Sequence, residues 1–165
     1  MLETIEEKGN MTAAYFRVVR NKGCPGVDGM RVESLKSHLQ EHWFLTDIGN
    51  DLHNKTYRPQ AIRRVMIDKA GSKEKRPWGI PTLRDRVVRI AVKMMIEPRF
   101  EADFIETSYG FRSKMSAHDA IRKSKENLFA GYPFVYDADL SKYFDTIAHD
   151  KLIKVVSGRL ADAGI

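Results

Sequence analysis

Residues 135–145 read VYDADLSKYFD, and this stretch decides the fold that the sequence predicts. An apolar run ends there in two carboxylates, Asp137 and Asp139, and an aromatic pair follows them. Residues 134–136 fit a buried β-strand, in which side chains two positions apart lie on the same face. We therefore expect both carboxylates on one side, near the C-terminal end of that strand.

A carboxylate in such a place can hold a divalent metal ion through its oxygen atoms. The arrangement suits nucleotidyl transfer, in which carboxylates and substrate phosphates together hold a hard cation. Phe144 lies beyond the strand, where the chain turns back toward whatever the metal binds. This chemistry needs at least one further carboxylate from another strand. The alternative is that Asp137, Asp139 and Asp145 lie in a solvated turn and cap a helix.

The composition is that of an ordinary soluble globular protein of 165 residues with 42% apolar content. No apolar run reaches membrane-spanning length, and the acidic start MLETIEEKGN does not fit a signal peptide. Cys24 is the single cysteine, which excludes an internal disulfide and agrees with a reducing compartment. The sequence therefore predicts a cytoplasmic protein, and no linker or repeat marks a domain boundary within residues 1–165.

The positive charge is concentrated in the middle of the chain. The net charge is +6, and residues 55–89 alone contain eleven Lys or Arg against three Asp or Glu. A face of this kind predicts a polyanionic partner, of which nucleic acid is the first candidate, although a solvated cationic face without a partner is the alternative. The candidate RNA-binding residues are Arg58, Arg63, Arg64, Lys73 and Lys75.

Helical spacing of apolar side chains predicts a helix over residues 11–19, with Asn10 as its N-cap and Gly23 as its end. The same spacing predicts a second helix over residues 32–39, and a third short one begins near Ile48. The N-terminal third is therefore expected to be helical.

Two strings resemble capping boxes at helix starts, TLRD at residues 82–85 and SAHD at residues 116–119. Pro98 is expected to limit the first of these helices and Gly131 to end the second. A last helix is predicted over residues 149–160.

Between the helices, residues 62–68 and 76–80 alternate as β-strands around a Gly/Ser/Lys loop, which predicts a β-hairpin with a cationic tip. Lys69 and Arg76 at the two ends of that loop could grip a triphosphate, since Arg offers a bidentate fork. For Lys73 and Lys75 the alternative is a solubilising loop.

SYGFR, at residues 108–112, places two aromatic side chains and Arg112 around a glycine that allows close backbone approach. Stacking on a base and clamping of a phosphate are both compatible with this spacing. A core aromatic corner with a surface arginine fits it equally well.

Taken in order, five strings resemble successive blocks of group II intron-encoded reverse transcriptases, the intron maturases. They are GVDGM (26–30), KRPWGIPTLRDRVVRIA (75–91), EPRFEADF (97–104), SYGFRSKMSAHDAI (108–121) and DADLSKYFDTIAHDKL (137–152). The resemblance runs from about Gly26 to the C-terminus, with the family's order and spacing. Ser113, Lys114 and Met115 depart from it by replacing the usual Pro-Gly-Arg.

The resemblance implies an α/β (α+β) right-hand polymerase fold, with residues 1–165 covering the fingers and part of the palm, including a small palm sheet. It implies that Asp139 is the first catalytic aspartate and binds Mg²⁺, joined by the carbonyl of Leu140, while Asp137 has a supporting role. It further implies that Lys69 and Arg76 bind the incoming triphosphate.

For the sugar and the template, the resemblance implies two more residues. Phe144 matches the aromatic residue that closes on the sugar and excludes a 2′-hydroxyl. Arg112 lies in the block that lines the template and nucleotide side, where its exact role is open.

The implied function is RNA-directed DNA polymerase activity in intron splicing and retrohoming. The implied partners are intron RNA, template-primer nucleic acid and dNTP, with no membrane and with a homodimer left open. Since no aromatic-Ala-Asp-Asp string occurs in the sequence, the 165 residues alone are expected to be inactive. The alternatives are a non-catalytic RNA-binding module that supports splicing, or a retron or diversity-generating reverse transcriptase.

Overall fold

The computed structural model describes residues 2–35, 37–68, 71, 73–140 and 143–160, except for the side chain of Leu2. The described residues up to Ile96 form one compact unit, and those from Glu97 form a second. We call these the N-terminal and C-terminal units. No helix among the described residues has the length and apolar content that crossing a membrane requires.

The described residues of the N-terminal unit form helices and one β-hairpin. Its elements are α1 (Leu2–Glu6), α2 (Lys8–Arg20), a 3₁₀ turn (Val32–Ser34), α3 (His38–His53), β1 (Arg63–Asp68), β2 (Lys75–Ile80) and the larger part of α4 (Leu83–Glu101). The two strands pair antiparallel, with Arg63 opposite Ile80 and Asp68 opposite Lys75. The mixed helical and antiparallel content confirms the predicted α+β class.

The core of this unit lies among α1, α2, α3 and α4. Its buried apolar residues are Ile5, Met11, Ala14, Tyr15, Val18, Phe44, Ile48, Leu52, Leu83, Val87, Val88 and Ala91. Arg84 of α4 forms ion pairs with Asp47 and Asp51, which are one turn apart on α3. Arg84 therefore serves the helix packing, although it belongs to the basic segment of residues 55–89.

The predicted helix over residues 11–19 is confirmed, but both of its predicted ends are wrong. The helix begins at Lys8, so Asn10 is inside it, where its amide donates to the carbonyl of Ile5 at 2.9 Å. The helix ends at Arg20, and Lys22 rather than Gly23 takes the left-handed conformation, with φ of 43°. The Asn10 amide also donates to the carbonyl of Ala91 in α4 at 3.4 Å, a packing contact that local cap rules do not describe.

The two helices predicted over residues 32–39 and from Ile48 are not present in that form. Residues 32–34 form one 3₁₀ turn, and a single helix of 16 residues runs through His38–His53. Ser37 caps this helix with a capping box that Gln40 completes. The capping box starts the helix only after Ser37, so Val32 and Leu35 are not part of it. Leu39, predicted on their shared apolar face, lies in its first turn and is 82% exposed.

The start of α4 confirms the cap predicted at TLRD. Thr82 accepts a hydrogen bond from the backbone N–H of Asp85 at 3.2 Å and donates its hydroxyl to the Asp85 carboxylate at 2.8 Å. That buried carboxylate also accepts from the Tyr57 hydroxyl at 2.7 Å and from the N–H of Gln60 at 3.1 Å. Burial and the hydrogen bond to Asp85 raise the pKa of Tyr57. The network ties the chain entering β1 to the chain leaving β2.

Pro98 does not end α4, contrary to the prediction, because the helix continues to Glu101. Proline removes one N–H near the end of a helix, where the loss of a single intrahelical bond is tolerated.

The C-terminal unit contains the end of α4 with α5 (Ala117–Phe129), α6 (Tyr143–Thr146) and α7 (His149–Leu160). The capping box at SAHD is confirmed, and hydrogen bonds from Ser116 lower the pKa of the Asp119 carboxyl. Gly131 follows α5 with φ of 94°, as predicted.

The buried palm strand predicted over residues 134–136 is wrong. Residues 132–140 have no assigned secondary structure, and Phe134, Val135 and Tyr136 are each at least 89% exposed. A strand needs neighbours for its backbone hydrogen bonds, and no described strand pairs with this segment. The predicted small palm sheet is therefore not formed by the described residues.

Gly26 allows the loop before the 3₁₀ turn to approach the start of α4. A Cβ at this buried position would lie 2.6 Å from Thr82 Cα and 2.7 Å from its nitrogen, both rigid backbone atoms. We expect Gly26→Ala to lower the free energy of unfolding by about 1–3 kcal/mol, measured by urea denaturation. Gly23→Ala is the matched control, because its Cβ would meet only the far end of the Arg86 side chain, which can shift where backbone atoms cannot. Equal stability of the two variants would contradict this packing.

Candidate functional site

The hairpin presents cationic and aromatic side chains together on one face. Arg63, Val65 and Ile67 of β1 are partly buried and lie opposite Ile80, Trp78 and Arg76 of β2, so all six share a face. The guanidinium carbon of Arg76 lies 5.8 Å from the ring centroid of Trp78, which is 53% exposed. An exposed cation over an exposed indole is an arrangement that can receive a phosphate and a flat ring.

The other residues predicted to bind RNA do not share the face of Arg76 and Trp78. Arg64 and Lys75 lie on the opposite face of the hairpin, and Lys73 is exposed in its loop. Arg58 is exposed and donates to the carbonyl of Tyr57 at 2.8 Å. Lys69 lies outside the described residues, so its predicted pairing with Arg76 stays a prediction.

A cleft of about 610 Å³ lies beside Trp78 in the N-terminal unit. Arg86 and Arg89 of α4 line it, and Arg86 donates to the carbonyl of Cys24 at 2.7 Å. Arg89 is exposed. The cleft thus adds cationic side chains beside the indole.

Asp139 lies in a shallow depression of the C-terminal unit with the other residues predicted for its site. Ala138, Asp139, Leu140, Tyr143, Phe144 and Asp145 line this depression. Phe144 is 83% exposed, and its ring stands edge-on to that of Tyr143, with centroids 5.5 Å apart. The structure thus places Asp139, Leu140 and Phe144 next to one another, although none of these three described residues lies in a strand.

The donors in this depression suit a hard cation, since the Asp139 carboxylate and the Leu140 carbonyl both offer oxygen. In the described part of the chain, no three His, Cys, Asp or Glu side chains come together as a metal site. Mg²⁺ is usually bound through one or two carboxylates with waters and substrate phosphates. Asp139 with Leu140 therefore fits one side of such a site.

Arg112 is buried rather than on the surface, with its side chain only 9% exposed. Its guanidinium bonds Glu101 at 2.9 and 2.8 Å and donates to the carbonyls of Ile105 at 2.8 Å and Ser108 at 2.9 Å. It also stacks over Phe104, at 5.3 Å from the ring centroid. These contacts hold the segment after α4 in place and occupy the groups with which Arg112 would grip a substrate.

Sequence reasoning missed two features of the site. Strand alternation predicts Arg76 and Trp78 on one face, and the register confirms it, but no role in the site was predicted for the indole. The Tyr57–Asp85 bond at the hairpin base joins residues 28 positions apart, and no local pattern signals it.

Comparison with known proteins gives a family whose match includes the residues of the Asp139 depression. A family model described as "Reverse transcriptase (RNA-dependent DNA polymerase)" matches residues 67–159. Protein YkfC of Escherichia coli (strain K12) is 43% identical over 169 residues, which cover 99% of this chain and 44% of that protein.

Two relatives carry intron names. Group II intron-encoded protein LtrA of Lactococcus lactis subsp. cremoris is 33% identical over 156 residues, covering 90% of this chain and 24% of that protein. Nuclear intron maturase 1, mitochondrial, of Arabidopsis thaliana is 39% identical over 83 residues, covering 48% of this chain and 12% of that protein. The chain thus spans less than half the length of these curated relatives. On these matches, the chain belongs to the reverse transcriptase (RNA-dependent DNA polymerase) family, in its group II intron-encoded branch.

Proposed function

We propose that this chain forms the fingers and the beginning of the palm of an RNA-directed DNA polymerase of the group II intron type. The observation that carries the proposal is the depression in which Asp139, Leu140 and Phe144 lie together, within the residues that match the reverse transcriptase family. The reaction is attack of a primer 3′-hydroxyl on the α-phosphate of a dNTP, which forms a phosphodiester and releases pyrophosphate.

Reverse transcriptases use a divalent metal ion, and we propose Mg²⁺ for this one. The Asp139 carboxylate and the Leu140 carbonyl would hold it, and the bound ion would stabilise charge on the reacting phosphate. Phe144 would lie under the deoxyribose, where its exposed ring leaves no room for a 2′-hydroxyl. Arg76, with Lys69, would hold the triphosphate through charge-assisted hydrogen bonds.

A second candidate function is a non-catalytic RNA-binding module that supports splicing. The maturase name of the Arabidopsis relative favours it, and it would use the same basic hairpin. Nucleotide addition separates the two functions, because only a polymerase requires Asp139. Template-dependent dNTP incorporation by a longer protein containing the chain would support the first, and intron RNA binding without incorporation would support the second.

We also propose that the protein is cytoplasmic and that it can form a homodimer. The exposed free thiol of Cys24 agrees with a reducing compartment. The exposed apolar side chains within residues 128–136 favour self-association, which sedimentation velocity at two protein concentrations would test.

RNA binding by the chain itself is the first measurable consequence. If the basic segment of residues 55–89 contacts five phosphates of a single-stranded RNA, the slope of log affinity against log salt concentration should be about −3.5, at roughly 0.7 per contact. Changing Arg63, Arg64 and Arg76 together to Gln should flatten this slope by about 2. Fluorescence anisotropy with a labelled oligonucleotide measures both.

The matched control uses three exposed cations of the N-terminal unit that lie outside residues 55–89. It changes Lys8, Arg17 and Arg31 to Gln. The control removes the same charge and should leave the slope within about 0.7 of the wild-type value. Equal slopes in the two triple variants would assign the binding to net charge alone and contradict the hairpin site.

A further inference from the structure

A groove of about 570 Å³, which we call the α3 groove, runs along one face of α3 in the N-terminal unit. On α3 its lining residues recur every three or four positions from His38 to His53, so a whole face of that helix forms one wall, about 22 Å long. Glu6 and the first turns of α2 form the opposite wall. No described residue lines both this groove and the cleft beside Trp78 or the Asp139 depression.

One carboxylate oxygen in the groove has no hydrogen-bond partner. Glu6 Oε1 lies 3.1 Å from Nδ1 of His53, whereas Glu6 Oε2 is buried and unpaired among the described residues. The Glu6 side chain as a whole is only 17% exposed. A buried polar atom that makes no hydrogen bond keeps its full desolvation cost. A bound group that donates a hydrogen bond to Oε2 would remove that cost.

The α3 wall leaves open space at Gly49. This glycine lies inside the helix, a position where glycine is less favourable than any residue with a side chain except proline. A Cβ at this position would meet nothing within 4 Å, so packing against the protein does not require glycine there. The missing side chain instead widens the groove that Gly49 lines.

A second carboxylate, that of Glu41, lines the same groove. Glu41 precedes His53 on α3 by 12 residues, which is about 18 Å along the helix axis. Because His53 contacts Glu6, the two carboxylates lie far apart along the groove. Lys8 is the only Lys or Arg among the described lining residues. The net charge of the protein is +6, so its overall field does not attract cations, and a cation bound here would be held by the local carboxylates.

We propose that the α3 groove binds a linear aliphatic polyamine. One terminal ammonium donates to Glu6 Oε2, and the far end of the same molecule reaches Glu41. Its carbon segments pack against the apolar lining side chains, Met11 and Leu45. An ammonium offers three donors and no acceptor, which suits an unpaired carboxylate oxygen. The inference does not depend on the proposed function, because it uses none of the residues assigned to RNA, dNTP or metal.

Isothermal titration calorimetry of the purified chain with spermine, a long linear tetramine, tests the site. We expect saturable binding that Glu6→Gln weakens at least about tenfold, because the substitution keeps the side-chain size and removes the charge. Glu3→Gln is the matched control. It removes the same charge from an exposed position of α1 outside the groove lining and should change the affinity by less than about twofold.

The length of the ligand gives a second measurement. Glu41→Gln should weaken spermine binding but leave the binding of putrescine unchanged, because this short diamine cannot reach from Glu6 to Glu41. Lys8→Gln should strengthen spermine binding, since it removes the ammonium that repels the ligand. An increase in affinity at Lys8 and a decrease at Glu6 place the ligand between them.

Filling the groove provides a test that leaves its charges intact. Gly49→Leu places a side chain in the open space and should abolish spermine binding while the melting temperature stays the same or rises. Gly9→Leu is the matched control, because Gly9 is a helical glycine of α2 that also has nothing within 4 Å of its Cβ but does not line the groove. This variant should keep the wild-type affinity for spermine.

Three results would overturn the site. They are no saturable binding of spermine by the wild-type chain, equal losses of affinity in Glu6→Gln and Glu3→Gln, and wild-type affinity in a folded Gly49→Leu variant. Equal losses would assign the binding to net charge rather than to the groove. None of these results changes the expected RNA binding by the hairpin or nucleotide addition at Asp139, so the two proposals fail separately.

Discussion

Replacing Asp139 by asparagine is expected to lower the rate of dNTP addition at least about 10³-fold in a longer protein that contains this chain and extends primers, about 4 kcal/mol of barrier. The substitution keeps the size of the side chain but removes the charge with which it would hold Mg²⁺. Interactions of this kind supply several kcal/mol of transition-state stabilisation. Single-turnover incorporation of one dNTP measures the effect without a contribution from product release.

Asp137→Asn is the matched control for this prediction. Asp137 is a carboxylate two residues away, but it is absent from the lining of the Asp139 depression. We expect its loss to reduce the rate by less than about tenfold. Comparable losses in the two variants would contradict the assignment of the metal site to Asp139.

Phe144→Val is expected to raise ribonucleotide incorporation by at least about tenfold, equivalent to about 1.4 kcal/mol of differential barrier. The reason is steric, because the proposed role of the Phe144 ring is to occupy the space that a 2′-hydroxyl would need. A smaller side chain opens that space, whereas dNTP addition depends on it less. Single-nucleotide kinetics with matched dNTP and rNTP give the discrimination ratio.

Phe144→Tyr provides the control for ring volume. It retains an aromatic ring at the same exposed position and should keep the wild-type discrimination ratio. Discrimination that is unchanged in Phe144→Val would show that Phe144 does not lie against the sugar.

Some features of the fold that depend on neighbouring residues could be predicted from the sequence, although the local capping box of Ser37 was missed. The hairpin of β1 and β2 followed from alternation around a Gly/Ser/Lys loop, and the capping box at Ser116 and the cap at Thr82 followed from their spacing. Each of these features is decided within a few residues, because turn and cap chemistry is local.

Features that depend on distant partners could not be predicted in this way. The apolar run at residues 134–136 has the composition of a strand, but no described strand pairs with it, so it is exposed and has no assigned secondary structure. The burial of the Arg112 side chain depends on its ion pair with Glu101, which lies 11 residues earlier at the end of α4. A charged residue near aromatic residues is compatible with both a binding role and a structural one.

Within the candidate site, the sequence predicted which residues lie together better than it predicted what holds them. Asp139, Leu140 and Phe144 are close in sequence and line one depression, to which Phe144 is contributed by the short helix α6. The face of Trp78 followed from strand alternation, whereas its contact with Arg76 and the Tyr57–Asp85 bond became visible only in the folded chain.

The most direct test of the central claim is primer extension on an RNA template. A longer protein containing this chain would be given a DNA primer annealed to RNA, Mg²⁺ and each dNTP singly. The account predicts that only the dNTP complementary to the first unpaired RNA base is added, and that chelation of the metal ion stops the addition. Failure to add any nucleotide while the protein still binds the primer-template, or addition that ignores the template base, would contradict it.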